Sequence, residues 1–168
     1  MMSAWTSFHS DKNKQLKTYC VMKVKIKKLS DNAVVPFKTY DSDFCYDVVA
    51  TSEEEIAPNV WKYGIGWAFE LTDIYGFDWI RLSIDFRPRS SVWKTGMVLS
   101  CCTGTIDKDF RGEVSAVFYH VLPNMPRYKV GDKIGQITFS LTETMDFIES
   151  DALSETDRNV NGYGSTGK

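Results

Sequence analysis

Histidine is almost missing from this chain. Its 168 residues include two, His9 and His120, beside four cysteines, Cys20, Cys45, Cys101 and Cys102. No CxxC spacing occurs among them, so the ligand set of a structural zinc site is lacking. Four free thiols in a reducing compartment is the reading these cysteines support. There is no apolar run of about 18 residues, which excludes a spanning helix. The first residues have no apolar stretch of the kind a secretory leader needs. Surplus positive charge is lacking too. Twenty basic against 22 acidic residues leave a formal net charge of −2, without the basic footprint of a general nucleic-acid binder. The expectation is a cytoplasmic protein (in the host cytoplasm if viral) with neither a nucleic-acid nor a membrane partner.

Long helical periodicity is also missing. What the chain has instead is alternation of period two. Val24 and Ile26 alternate with Lys23, Lys25 and Lys27. Ile65, Trp67, Phe69 and Leu71 repeat the pattern, as do Leu82, Ile84 and Phe86. Met97–Cys101, Val114–Val121 and Ile134–Ser140 are further strand candidates. Ser52–Ile56 and Thr144–Leu153 are each expected to form a turn or two of helix. Many short strands separated by turn residues predict an all-β sandwich or barrel in one domain. Residues 1–21 are polar and irregular and are read as an N-terminal extension. Periodicity begins at Met22, and residues 22–153 make the β-domain. Residues 154–168 become Gly-rich and polar and form an arm without a core of its own.

Five segments carry chemistry. Thr103-Gly104-Thr105-Ile106-Asp107-Lys108-Asp109-Phe110-Arg111-Gly112 places acids and a ring between glycines, which allow sharp turns and close approach of a ligand. Asp107 can take a proton from water, and Phe110 can lie against a sugar or base. In Arg87-Pro88-Arg89-Ser90-Ser91-Val92-Trp93-Lys94-Thr95-Gly96, a serine N-cap and the Arg89 fork suit an anion, with Gly96 as the stop. Gly131-Asp132-Lys133-Ile134-Gly135-Gln136 runs from a turn into a strand. Simple alternation there puts Gln136 on one face with Ile134 and Thr138. Asp47, in Phe44-Cys45-Tyr46-Asp47-Val48, precedes a strand and can hold water around Mg2+. The stretch Arg158-Asn159-Val160-Asn161-Gly162-Tyr163-Gly164-Ser165-Thr166-Gly167-Lys168 combines a cation, one ring and small residues. Its superficial match to a phosphate loop fails, because that motif needs a Ser or Thr after the Lys, a strand before and a helix after. Each segment alone is also compatible with a capped turn, a solvated face or disorder.

Taken together and in this order, the segments resemble the five motifs of the homotrimeric dUTPase family. Phe44–Val48 is similar to A-G-Y-D-L, Pro88–Val92 to P-R-S-G-L, and Gly104–Gly112 to G-x-I-D-x-D-Y-x-G. Gly131–Gln136 is similar to G-D-R-I-A-Q, and Arg158–Gly167 to R-G-x-G-G-F-G-S-T-G. The resemblance implies a jelly-roll, β-clip barrel with a flexible C-terminal arm, and hydrolysis of dUTP to dUMP and pyrophosphate with Mg2+. Asp107 would be the general base. Arg89, Ser90 and Gln136 would hold the α- and β-phosphates, with the Ser91 hydroxyl beside them. Phe110 would pack on deoxyribose, and uracil would pair with backbone near Gly104 and Ser115. Arg158 would grip the γ-phosphate, and Tyr163 would stack on uracil with Gly164 and Ser165 in the closing arm. Asp47 would order the waters of Mg2+. Each site would draw on all three subunits of a homotrimer.

This chain departs from the family at Cys45, Ser91, Phe110, Asn159 and Asn161. None of these changes removes a group that performs chemistry. A dCTP deaminase shares the fold and an R-S-S motif, but it needs a Glu where this chain has Val117. A regulatory binding protein on the same fold is the other alternative.

Overall fold

The computed structural model describes residues 23–71, 80–157 and 159. The alternating segments fold as strands: β1 (Val24–Lys28), β2 (Tyr46–Val49), β3 (Ser52–Ala57), β4 (Val60–Gly64), β5 (Trp67–Leu71), β6 (Ile80–Arg87), β7 (Met97–Leu99), β8 (Gly104–Ile106), β9 (Ser115–His120) and β10 (Lys133–Glu143). A five-residue 3-10 helix, Ser90–Lys94, lies between β6 and β7. The strands form a pair, β1-β5, and two four-stranded sheets ordered β2-β10-β6-β8 and β3-β4-β9-β7. Every strand pair among the described residues is antiparallel, so the all-β expectation holds.

The inward positions of the alternating strands converge on one core. Val48, Ile84, Phe86, Ile134 and Ile137 come from one four-stranded sheet, and Tyr63, Met97, Leu99, Ala116 and Phe118 from the other. At the centre, the ring of Phe118 meets those of Tyr128, Tyr63 and Phe86 edge-on, at centroid distances of 5.5, 6.0 and 6.2 Å. Such pairs add about 0.5–1.5 kcal/mol each beyond the area they bury. Tyr63 satisfies its hydroxyl by donating to the Tyr128 carbonyl at 3.0 Å.

Several local expectations need correction. Ser52–Ile56 is not helical. Its three consecutive glutamates suit a helix by propensity, yet the segment pairs along β4 as a strand, and tertiary pairing overrides a weak local preference. Thr144–Leu153 is not helical either. β10 runs on to Glu143, and the residues after it are irregular and exposed. β4 and β8 are strands that alternation did not single out. Asp47 lies inside β2 rather than before a strand. Met22 lies outside the described residues.

Asp85 was not singled out, and it holds one sheet together. It is buried on β6. Thr105 Oγ1 on β8 donates to it at 3.2 Å and Ser140 Oγ on β10 at 2.6 Å, so one carboxylate links three adjacent strands. Replacing it removes two hydrogen bonds, from exposed Thr105 and half-buried Ser140, each contributing about 0.5–1.5 kcal/mol. Asp85→Ala is therefore expected to lower the unfolding free energy by about 1–3 kcal/mol, read as a lower urea midpoint at unchanged m, and Asp85→Asn, which keeps a carbonyl acceptor, by less. An Asp85→Ala midpoint equal to wild type would remove the clasp.

Candidate functional site

The predicted site residues fall into two clefts. The first lies at the hairpin after β8. Asp107 is exposed and stands one residue beyond the strand. The Phe110 N–H donates to the Asp107 carbonyl at 3.1 Å and closes the turn. The Phe110 ring folds back over Gly112, where a Cβ would collide with it. The returning chain is fixed to the β4–β5 connection. Ile65 N–H donates to the Val114 carbonyl at 3.1 Å, and Val114 N–H to that of Trp67 at 3.0 Å. Glu113 Oε1 accepts the Gly66 N–H at 2.7 Å. Gly66 has φ +73°, a conformation that favours glycine. The resulting cleft of about 220 Å³ is lined by Thr105, Asp107, Phe110, Glu113, Ser115 and their neighbours. Gly104 opens β8, which among the described residues is an edge strand, so its outer backbone groups can meet a planar polar ligand.

The second cleft, about 510 Å³, lies at the opposite edge of the same sheet. Asp47, Arg89, Lys133 and Gln136 face it, with Cys45 and Phe44 at its side. Asp47 is buried and has three cationic or amide partners around it. Lys133 Nζ lies 2.8 Å from Oδ2, Gln136 Nε2 3.1 Å from Oδ1, and Arg89 Nε 3.6 Å from Oδ1. Burial alone would raise its pKa. The hydrogen bonds from Lys133 and Gln136 and the charges of Lys133 and Arg89 outweigh burial and hold it below the ordinary aspartate value. Ser90 and Ser91 form the first turn of the 3-10 helix. Neither is its cap. Arg89 occupies that position, and no side chain caps the turn. Thr95, before Gly96, is the C-cap. Arg158, Tyr163, Gly164 and Ser165 lie outside the described residues.

Lys133 is the residue in this cleft that sequence reasoning passed over. The signal was its place in the segment similar to G-D-R-I-A-Q. Three residues from Gln136, it belongs on the opposite face of a regular strand. Glu113 and Asp85 gave no comparable signal, because each acts through a strand remote in sequence.

Among the described residues no group of three His, Cys, Asp or Glu side chains is placed to hold a metal directly. Asp47 is a single carboxylate with lone pairs left beyond those its partners use. That suits a cation that keeps its water shell and takes further ligands from a phosphate, as Mg2+ does.

Comparison with known proteins identifies the fold and the family. The family model described as dUTPase matches residues 84–167. A deoxyuridine 5'-triphosphate nucleotidohydrolase of Nautilia profundicola is 32% identical over 149 residues, covering 88% of this chain and 100% of that protein. One from Helicobacter pylori is 33% identical over 149 residues, covering 87% and 97%. Among solved structures, a dUTPase of Staphylococcus bacteriophage 80alpha with dUpNHpp superposes with a TM-score of 0.71 at 19% identity, covering 87% of this chain and 99% of that one. The dUTPase of phage phi11, described with a structural Mg(II) ion, gives 0.64 at 17% identity, covering 79% and 99%. At those identities the structures show a shared fold. The family model and the sequence relatives go further: this chain belongs to the dUTPase family.

Proposed function

We propose that the protein hydrolyses dUTP to dUMP and pyrophosphate at sites shared between the subunits of a homotrimer, with Mg2+ bound through water at Asp47. Uracil and deoxyribose occupy the hairpin cleft, with backbone near Gly104 and Ser115 pairing with the base and Phe110 against the sugar. Arg89, Ser90, Ser91 and Gln136 hold the α- and β-phosphates. Asp107 accepts a proton from water as its oxygen bonds to the α-phosphorus, and the bond from that phosphorus to the α,β-bridging oxygen breaks. Pyrophosphate leaves with the bond's electron pair. Mg2+ supplies charge neutralisation on the phosphate oxygens. Residues 1–21 are an extension to the 22–153 barrel, and residues 154–168 an arm that closes with Arg158 on the γ-phosphate and Tyr163, Gly164 and Ser165 at the base. A cytoplasmic location completes the reading. Among the described residues no helix is long and apolar enough to cross a membrane.

The observation that carries the shared site is a separation. Asp47 is on edge strand β2 and Asp107 follows edge strand β8. Three inter-strand spacings put these edges about 14 Å apart. Gln136 pairs with Arg87, whereas Ile106 pairs with Ile84, so Asp107 lies about four residues, or roughly 13 Å, further along the strands. One chain's Arg89 and Gln136 cannot place an α-phosphate beside its own Asp107. A neighbouring copy can.

Asp107→Asn is expected to lower turnover about 10²–10⁴-fold, the usual contribution of a positioned base, while binding of a non-hydrolysable dUTP analogue stays intact. Turnover within about tenfold of wild type would sink this role.

Mixing tests the sharing. Asp107→Asn and Arg89→Ala subunits, each inactive alone, are expected to regain about a quarter of wild-type activity after subunit exchange, since random rings with heterologous interfaces rebuild some intact sites. No recovery, with exchange verified by native mass spectrometry, would place each site within one chain.

Removing residues 159–168 is expected to cut turnover sharply and leave the melting temperature nearly unchanged. In the full chain, hydrogen exchange in this segment is expected to slow when the analogue and Mg2+ bind. Equal protection with and without analogue, or full activity of the shortened chain, would refute a closing arm.

A further inference from the structure

Lys133 and Gln136 lie three residues apart on β10, an odd spacing that sends side chains to opposite faces of a regular strand. Both nevertheless bond to Asp47. A bulge makes the difference. Lys133 pairs with Val49 and Gly135 with Val48, so Ile134 is an extra residue on β10. Ile134 turns fully into the core. Bulges re-aim side chains in this way. The Lys133 ammonium is also held from the other side. It lies 4.7 Å from the centroid of the Phe37 ring and 3.4 Å from Thr39 Oγ1. Phe37 in turn pairs with Asp47 through two backbone hydrogen bonds of 2.7 and 3.2 Å. The fold thus fixes this lysine on this carboxylate from two directions.

The charged side chains lining the cleft are Asp43 and Asp47 against Arg89 and Lys133, and they cancel. A hydrated dication approaching Asp47 meets an ammonium 2.8 Å from one carboxylate oxygen and a guanidinium 3.6 Å from the other, and like charges at such separations repel. A triphosphate reverses that balance. It brings several negative charges and offers Lys133 a new partner. We propose that Lys133 is a positioning residue that keeps a divalent cation off Asp47 until the nucleotide arrives, so that metal and nucleotide enter together. This rests on the reading of Asp47 as the carboxylate that orders the waters of Mg2+.

The test uses the full chain without nucleotide and Mn2+ as a paramagnetic probe, with bound ion counted by electron paramagnetic resonance. Lys133→Met is expected to bind Mn2+ about tenfold or more tightly than wild type, the effect of removing a like charge at contact distance. Lys133→Arg, which keeps the cation, is expected to behave as wild type. Equal Mn2+ affinity in Lys133→Met and wild type overturns the proposal. So does a gained site that survives in the Lys133→Met/Asp47→Asn double variant. Thermal melts establish that each variant is folded. If Lys133→Met does not fold, Lys133→Gln, which keeps a donor for Asp47 without the charge, is read by the same criterion. Asp47→Asn alone tests the underlying reading separately. If the Mg2+ dependence of dUTP-analogue binding is unchanged in that variant, the role of Asp47 fails whatever the Mn2+ result at Lys133.

Discussion

A carboxylate buried in a β-sheet is tolerated where the strands around it supply hydrogen-bond donors, and expelled where they do not. The sheet β2-β10-β6-β8 buries two, Asp47 and Asp85. Asp85 draws Thr105 and Ser140 from the strands on either side, which fixes β8 against β6 and so fixes where the hairpin of Asp107 begins. Asp47 draws Lys133, Gln136 and Arg89, which fixes the polar floor of the other cleft. The two clefts are thus set by the same requirement at opposite edges of one sheet.

The bulge in β10 is what lets that sheet serve both its core and its cleft. A strand of strict alternation offers half its side chains to each side. From Lys133 to Gln136 the chain instead sends Lys133 and Gln136 outward to Asp47, and Ile134 inward. Gly135 belongs to the same device. A Cβ at this position would run into the ring of Phe86, so the segment similar to G-D-R-I-A-Q carries glycine where that pattern has alanine. The Phe86 ring takes the space that an alanine methyl would need.

Much of the fold was legible because its signal is local. Leu82, Ile84 and Phe86 alternate with polar residues, and β6 follows. The motif segments were legible because turn residues and charged groups are close together in sequence, and the structure gathers Asp107, Phe110 and Ser115 around one cleft and Asp47, Arg89 and Gln136 around the other. What was not legible depends on partners far away in sequence. Glu53, Glu54 and Glu55 become strand because β4 lies beside them. Lys133 reaches Asp47 because one extra residue enters the register with β2, a count that neither strand reveals alone. Glu113 meets Gly66 across 47 positions.

If the site is divided between two sheet edges, as proposed, the division has a consequence for control. In a single chain Asp107, the proposed base, stands exposed, while Arg89 and Gln136, proposed to hold phosphates, are engaged with Asp47, as is Lys133. Catalysis then needs two further events, each with its own physical driver. On the proposed shared site, assembly would bring a neighbour's Asp107 to the cleft of Asp47, Arg89 and Gln136, which satisfies the geometry that one sheet cannot. The proposed triphosphate substrate would compete for Lys133 and Arg89 and so free Asp47 to order the waters of Mg2+. If these groups receive the phosphates as proposed, an internal ion pair is exchanged for a substrate ion pair, which offsets much of the desolvation that binding would otherwise cost.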